Sequence, residues 1–372
     1  MTVGQVLGER HGVVLPVRVD RSGVTGPTPR AAAGPEWRRT SRGHYVPSYV
    51  EPTTAQRIAE VGAVLPERVA VTGWAALSWR GARWFEGLDA QGVPLAVPVV
   101  APTRCLRPQP VMELREERLA EEDLERVDGL LATTPLRSTA SVIRHAPDLD
   151  TAVARLEMAY ASDLVSAGEV EAWLDERPGL PGIVQGREAL ALADENSWSP
   201  MEWTLRRLWL DRFAGARLLV NRPVFDLTGK HIATPDLIDP ETGVTGEYDG
   251  AAHHGGARRA TELRREGDVR RHGLEPVVMV APDGHRPAGF WARLDDAYAR
   301  AARRAASERT WTLEPPYWWR ATHSVALRRA VVGPEREVWL SRPGPMFDPD
   351  PPHTPAACRG EERQDGQGSW KT

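Results

Sequence analysis

The pattern of apolar and polar positions in the first 110 residues indicates short helices and strands in a small α+β unit. Residues 53–65 (TTAQRIAEVGAVL) place apolar side chains at helical spacing, which predicts an amphipathic helix. Residues 35–50 are typical of a β-hairpin that carries basic and aromatic side chains. Residues 93–100 (VPLAVPVV) predict a strand. Because proline cannot donate a ladder hydrogen bond, Pro98 favours the edge of a sheet for this strand.

The apolar pattern becomes helical over residues 111–196. Ala152, Leu156 and Ala159 recur at intervals of three and four residues, as on one face of a helix. The acidic stretch RLAEEDLERVDGLLA, residues 118–132, is also amphipathic at helical spacing. We therefore predict a helical middle unit that links the units on either side.

Residues 197–306 predict a third unit, in the order helix, strand, strand, strand, helix, strand, helix. The apolar run EPVVMVAP is typical of a buried strand. Residues 307–372 form an extension whose last part, from about residue 341, is rich in proline, glycine and polar residues. That composition is typical of a disordered tail. The predicted fold class is therefore a multidomain α+β or α/β protein.

Composition excludes several classes of protein and selects none. The chain has 372 residues, 41% hydrophobic and 26% charged, which is ordinary for a globular protein of two or three domains. Its apolar runs fall short of the roughly 18 residues that span a bilayer. The N-terminus lacks the basic and apolar segments of a signal peptide. We therefore expect a cytoplasmic protein without a membrane partner.

Local clusters of charge are more informative than the net charge of −4. Lysine occurs only at Lys230 and Lys371, so arginine supplies nearly all basic side chains and its abundance alone does not indicate nucleic-acid binding. Arg264 and Arg265 lie in a predicted helix that also contains Glu262 and further acidic residues. These arginines suit either contacts to a phosphate backbone or ion pairs on a solvated helix face.

Three carboxylates come together in the predicted strand pair formed by TPDLID and GEYDG. Glu247 and Asp249 lie two residues apart, so they face the same side of a strand. If the two strands pair, Asp236 lies beside Glu247 or Asp249. Like charges repel unless a cation lies between them, and Mg²⁺ selects carboxylate oxygens. The pattern therefore indicates either a metal site at Asp236 and Glu247 or ordinary aspartates beside turns.

Two further residues fit this centre and also have simpler interpretations. Glu202 on the preceding helix suits a third carboxylate, and it also fits a capping box with Ser199 because it occupies the third helical position. His253 follows the acidic strand in a glycine-rich loop. There it suits either a contact to a phosphate or a plain surface position.

With these residues in place, the third unit resembles the PD-(D/E)xK nuclease superfamily, and within it the DUF559 and very-short-patch-repair-like endonucleases. The matching elements cover about 110 of the 372 residues and are SPMEW, TPDLID, GEYDGAAHH, ATELRREGDVRRHG and PVVMV. The resemblance implies a restriction-endonuclease-like mixed sheet flanked by helices, and metal-dependent hydrolysis of DNA phosphodiester bonds. The catalytic residues that it implies are Glu202, Asp236, Glu247, Asp249 and His253.

The same resemblance implies a cofactor and a nucleic-acid contact. Mg²⁺, or Mn²⁺ in its place, would be held by Asp236 and Glu247. Arg264 or Arg265 matches a basic position that contacts the DNA backbone. One departure concerns catalysis, because the superfamily usually has lysine where this chain has Asp249. That departure favours an alternative function, a catalytically degenerate nuclease fold that acts as a DNA-binding regulator.

The N-terminal part shows a second resemblance. The stretches WRRTSRGHYVPSYV, VTGWAALSWRGA and TTPLRSTASVIRHA resemble the AbiEi-type antitoxin-like proteins. In those proteins the N-terminal part is a winged helix that binds DNA, so the resemblance implies DNA and a toxin as partners. Residues 1–110 would then be a degenerate winged helix. An interaction protein without a nucleic-acid role is a third alternative, which the overall acidity permits.

Overall fold

The computed structural model describes residues 11–89, 91–103, 106–107, 109–250, 266–334 and 336. Within these ranges the fold is multidomain α+β, as the sequence predicts. The helices are α1 (Pro29–Ala32), α2 (Thr54–Gly62), α3 (Gly73–Trp79), α4 (Pro135–Arg144), α5 (Leu149–Ala161), α6 (Ala167–Asp175), α7 (Ile183–Leu192), α8 (Pro200–Arg212), α9 (Ala288–Ala301) and α10 (Val325–Arg329). None of them is long and apolar enough to cross a membrane.

The strands of the described ranges form four sheets. Their bounds are β1 (Val17–Arg18), β2 (Trp37–Ser41), β3 (His44–Pro47), β4 (Ala70–Val71), β5 (Val97–Ala101), β6 (Met112–Glu116), β7 (Leu124–Val127), β8 (Leu130–Thr133), β9 (Leu219–Val220), β10 (Val224–Asp226), β11 (His231–Ala233), β12 (Leu237–Ile238), β13 (Val244–Asp249), β14 (Glu275–Val280) and β15 (Trp311–Thr312). The orders are β1-β3-β2, β6-β5-β4-β8-β7, β14-β13-β12-β9 and β11-β10-β15. The predicted N-terminal hairpin is confirmed as β2 and β3.

The helical prediction for residues 118–132 is wrong. Strands β7 and β8 occupy the second half of this stretch and pair antiparallel. Asp128 and Gly129 connect them with φ values of 49° and 84°, which is the two-residue turn that a tight hairpin needs. Strand β6 also lies in the segment predicted as helical, and it pairs parallel with β5. The helices of the middle unit therefore begin at Pro135 rather than near residue 111.

The edge position predicted for the strand with Pro98 is also wrong, because β5 lies between β4 and β6. The carbonyl of Pro98 accepts a hydrogen bond from the Thr72 amide at 3.0 Å. A residue without the proline ring would return an N–H to the Thr72 carbonyl. That carbonyl instead accepts the amide of Ala76 in the first turn of α3. The Thr72 carbonyl therefore keeps a partner although Pro98 has no N–H to donate.

Two strands predicted in the third unit are each divided between two sheets. RLLVNRPVFDL contains β9 and β10, and HIATPDLIDP contains β11 and β12. Strands β9 and β12 belong to the four-stranded mixed sheet, whereas β10 and β11 pair in the three-stranded sheet. Asn221 has a φ of 46° between β9 and β10, and Pro235 lies between β11 and β12. Each residue interrupts the regular strand and redirects the chain.

Helix α8 contributes to two hydrophobic cores. Trp203 packs in the core of the helical unit, with α4, α5, α6 and α7. Leu205, Leu208 and Trp209 pack in the core of the mixed sheet, together with α9. Because Trp203 and Trp209 are six residues apart, they point to different sides of the helix. One helix therefore joins the unit that contains the acidic residues to the helical unit.

Gly246 in β13 allows α8 to lie close to the mixed sheet. A Cβ at this position would lie 2.6 Å from Cζ3 of the Trp209 ring. Trp209 is fully buried, and its indole Nε1 donates to the hydroxyl of Tyr298 at 3.0 Å. The ring therefore has little freedom to move away from an added methyl group.

We expect Gly246→Ala to lower the free energy of unfolding by about 1–3 kcal/mol, the usual cost of overpacking a dense core. Gly215→Ala is the matched control, because a Cβ at residue 215 meets nothing within 4 Å. Urea denaturation of both variants and the wild type measures the difference. Equal stability of Gly246→Ala and the control would show that the Trp209 ring moves away from the added methyl group without lowering the free energy of unfolding.

Candidate functional site

The register of the mixed sheet brings Asp236 and Glu247 together. Leu237 is opposite Gly246 and Ile238 is opposite Thr245, so the next step along the same register places Asp236 opposite Glu247. One carboxylate oxygen of Asp236, Oδ2, accepts the backbone amide of Tyr248 at 2.8 Å. Directly opposite residues in an antiparallel pair project from the same face of the sheet. The strand pairing that the predicted metal site requires is therefore present.

The acidic residues differ in exposure along this face. Asp236 and Glu247 are half-buried, and Asp249 at the end of β13 is exposed. Glu247 and Asp249 are two residues apart in one strand, so they share a face. The face therefore opens toward solvent from Asp236 to Asp249, and a ligand could approach from that end.

Glu202 lies on the first turn of α8, with 1% of its surface exposed. Its Oε2 accepts hydrogen bonds from the Trp198 amide at 2.9 Å and from the Asn221 side chain at 2.6 Å. The capping box predicted for Ser199 and Glu202 is not formed, because the Ser199 side chain makes no cap hydrogen bond. The Glu202 carboxylate is held by Trp198 in the preceding loop and by Asn221 after β9, instead of by the start of its own helix.

Burial raises the pKa of Glu202 well above its ordinary value, and the negative charge of Asp236 raises it further. The hydrogen bonds from Trp198 and Asn221 act in the opposite direction. The buried Oε1 of Glu202 has no hydrogen-bond partner among the described residues. Glu202 and Asp236 are therefore close enough to repel each other, and a proton or a cation would relieve the repulsion.

Asn221 connects the two carboxylates. Its backbone amide donates to the carbonyl of Asp236 at 2.9 Å, and its side-chain amide donates to Glu202 and to the carbonyl of Asn196 at 2.8 Å. Asn196 returns hydrogen bonds to the carbonyls of Val220 and Asn221, at 2.6 and 3.0 Å. The two asparagines thus form a reciprocal buried pair. This pair fixes the position of Glu202 relative to Asp236, which directly precedes β12.

Sequence reasoning did not identify Asn196 or Asn221 as site residues. The signal for Asn221 was weak but present: asparagine enters the left-handed region more readily than most residues, and here it lies two residues before a proline. Nothing in the sequence around Asn196 distinguishes it from other polar loop residues. Its role depends on a contact with Asn221, which lies 25 positions further along the chain.

The donor set at this face suits a hard cation that keeps several water ligands. Mg²⁺ binds through one or two protein carboxylates together with waters and phosphate oxygens. Asp236 and Glu247 supply such a pair, and the unpartnered Oε1 of Glu202 is a further acceptor behind them. Among the residues that the structure describes, no group of three or more His, Cys, Asp or Glu side chains is arranged to hold a metal. The residues therefore fit a two-carboxylate site rather than a closed cage of protein ligands.

Three of the predicted site residues lie outside the described residues: His253, Arg264 and Arg265. Lys230, the lysine nearest in sequence to Asp236, is exposed in the turn between β10 and β11. That turn belongs to the three-stranded sheet rather than to the mixed sheet. Lys230 therefore does not fill the position that Asp249 occupies in β13.

Comparison with known proteins yields relatives without an assigned activity. No family model matches the chain, and no solved structure matches it. Two curated proteins are similar, both described as uncharacterized and each from a different strain of Mycobacterium tuberculosis. Each is 28% identical over 185 residues, which span 50% of this chain and 67% of the relative. Functional inference therefore depends on the residues and their geometry.

We expect Glu202→Gln to stabilise the protein at neutral and alkaline pH by about 1–2 kcal/mol, at the expense of function. The pKa of Glu202 is raised in the folded state, so its favourable contribution is complete at low pH and is lost as the pH rises through that pKa. The glutamine has no such dependence, because it does not ionise. Its amide also offers a donor toward Asp236.

The test is the free energy of unfolding of the wild type and of Glu202→Gln between about pH 5 and pH 8. The wild type should lose stability relative to the variant as the pH rises. Glu176→Gln is the control, since the side chain of Glu176 is 70% exposed. If the free energies of unfolding of the wild type and Glu202→Gln changed equally with pH, the pKa of Glu202 would not be raised.

Proposed function

We propose that the third unit binds DNA and hydrolyses its phosphodiester bonds with the help of a divalent cation, Mg²⁺ or Mn²⁺. The observation that carries the proposal is the pairing of Asp236 with Glu247 in adjacent strands, with the buried Glu202 behind them. The arrangement suits cation binding, because carboxylates placed side by side repel each other and a cation between them relieves the repulsion. A nuclease site uses the same arrangement to hold a cation against a scissile phosphate.

In this proposal Asp236 and Glu247 hold the cation. When bound, the cation supplies charge stabilisation at the scissile phosphate and lowers the pKa of a bound water. Glu202 orients the attacking water through its inward-facing Oε1. Asp249, at the exposed end of the same strand face, completes the acidic shell. His253 as a phosphate contact, and Arg264 or Arg265 as backbone contacts, remain proposals from the resemblance to the nuclease superfamily.

Asn221 and Asn196 have positioning roles in the same proposal. The Asn221 side chain stabilises the ionised form of Glu202 by donating to Oε2. Its backbone amide holds the strand end at Asp236. Asn196 in turn fixes Asn221, so the two carboxylates are held at a constant separation before any ligand binds. Such preorganisation lowers the cost of bringing the groups together during the reaction.

A second candidate function is a DNA-binding regulator of antitoxin-like architecture, with a nuclease fold that no longer cleaves. Asp249 in place of the usual lysine favours it, and so does the exposed position of Lys230 on a different sheet. Under this alternative a toxin would be the second partner. Cytoplasmic location is part of both candidates and follows from the same sequence expectations.

The double variant Asp236→Asn, Glu247→Gln separates the two candidates. It keeps both side-chain shapes and the acceptor for the Tyr248 amide, and it removes two negative charges. We expect at least a tenfold loss of Mg²⁺ affinity by titration calorimetry and loss of cleavage of nicked, mismatched or single-stranded DNA. Asp175→Asn, Glu176→Gln is the matched control, because these side chains are 68% and 70% exposed.

Mg²⁺ affinity that is unchanged in the Asp236→Asn, Glu247→Gln variant would refute the metal assignment. A wild-type protein that binds DNA without binding Mg²⁺ or Mn²⁺ would support the regulator instead. Chelation of the metal should abolish cleavage and leave DNA binding in place if the nuclease proposal is right.

A further inference from the structure

A tight turn after β15 presents an aromatic side chain to solvent. The amide of Trp319 donates to the carbonyl of Pro316 at 2.9 Å, which places Tyr317 and Trp318 at the tip of the turn. Tyr317 has a relative exposure of 101%. Both faces of its ring are therefore accessible. A fully exposed aromatic ring contributes nothing to the core, and its two faces are available to a stacking partner.

The turn is anchored on both sides of Tyr317. The Trp319 ring stacks on His231, with 5.3 Å between ring centroids and an interplanar angle of 16°. Trp319 also meets Phe225 edge-on at 5.0 Å, and Trp318 meets Trp319 edge-on at 5.9 Å. On the other side, Pro316 lies against Gly229, where a Cβ would be 3.3 Å from the proline ring. The backbone at Tyr317 is thus held in place by its neighbours, although the Tyr317 ring itself is fully exposed.

Charged residues of both signs surround the turn. Arg320 follows the turn and is exposed, and Lys230 is exposed next to Gly229. Arg222 lies close enough to His323 for its charge to lower the histidine pKa, after the larger effect of burial. The acidic groups nearby are Glu314, which is exposed, Asp226 in the β10–β11 turn, and Asp194, whose charge raises the pKa of His323. The two signs are therefore balanced around the turn, and Arg320 and Lys230 are exposed cations that suit contacts to a phosphate backbone.

The turn is also linked to the acidic site. His231, on which Trp319 stacks, is hydrogen-bonded through Nε2 to the Thr234 hydroxyl at 2.9 Å. Thr234 is two residues before Asp236, a distance of about 7 Å along extended chain. A nucleic-acid strand bound at Asp236 and Glu247 would therefore pass the rings of His231 and Trp319 within a few nucleotides.

We propose that the ring of Tyr317 stacks on an unpaired base of a single-stranded nucleic-acid segment. This inference rests on the proposed function, since it takes nucleic acid as the ligand of the same unit. Stacking on an aromatic ring is available to every base, so the contact selects unpaired over paired nucleotides without selecting a sequence. The anchored turn presents the ring with little loss of conformational entropy on binding.

The test compares the affinities of the full-length protein for a fluorescein-labelled oligothymidylate and for a labelled duplex of equal length, by fluorescence anisotropy with EDTA present. We expect Tyr317→Ala to weaken binding of the single strand about tenfold and to change duplex binding by less than about twofold. Tyr317→Phe should bind as the wild type does, because the ring is retained. Val184→Ala is the control, since Val184 is 65% exposed on α7, away from the proposed nucleic-acid contacts.

Each further outcome decides against at least one of the proposals. Equal affinity of Tyr317→Ala and the wild type for the single strand would overturn the stacking role and leave the nuclease proposal untouched. Tyr317-dependent single-strand binding without any cleavage in Mg²⁺ would uphold stacking and overturn the nuclease proposal. Loss of self-association in Tyr317→Ala, with unchanged oligonucleotide affinity, would identify a protein-docking surface instead. A wild type that binds neither oligonucleotide would overturn both proposals.

Discussion

The packing of α8 into two cores is the constraint on which the candidate site depends. Trp203 is buried among the helices of the middle unit, and Trp209 is buried against the mixed sheet. Because both contacts must be satisfied by one rigid helix, its first turn is fixed in place. Glu202 therefore lies beside the strand end at Asp236 whether or not a ligand is present. A helix packed on one side only would leave this carboxylate free to turn to solvent.

The same region contains a buried ion pair, between Glu157 and Arg206. Glu157 of α5 is fully buried, and burial raises its pKa. Its Oε1 accepts the guanidinium of Arg206 on α8 and the Asp194 amide. Buried pairs of this kind add little stability compared with apolar residues, but they specify one arrangement of the helices. Here the pair sets the rotation of α8, and Glu202 lies on the preceding turn of that helix.

Local patterns in the sequence were sufficient for some elements and misleading for others. The hairpin of β2 and β3, helix α2 and the strand pair around Asp236 follow from spacing alone. For residues 118–132, a helical period of apolar residues competed with the Asp128-Gly129 signal, and the turn prevailed.

Other features depend on contacts that no local pattern contains. Pro98 can lie in the interior strand β5 because β4 ends at Val71, so the Thr72 carbonyl opposite Pro98 bonds to α3 instead. Glu202 is an inward-facing carboxylate rather than a cap because of Asn221, 19 residues away. The sequence could therefore indicate which carboxylates meet, but not what orients them.

The segment after α9 ties the third unit to the helical unit. Strand β15 pairs with β10, and α10 then returns to the helical core, where the Arg328 guanidinium bonds to Asp163 at 2.7 Å and to the Tyr160 carbonyl at 2.8 Å. Both partners of the ion pair are buried. Recombination that separated the acidic unit from the helices would leave β10 with an open edge if the segment after α9 stayed behind, and would leave Asp163 with an uncompensated charge if that segment moved too. In evolution, the acidic unit and the helices are therefore expected to be inherited together, as one block of the chain.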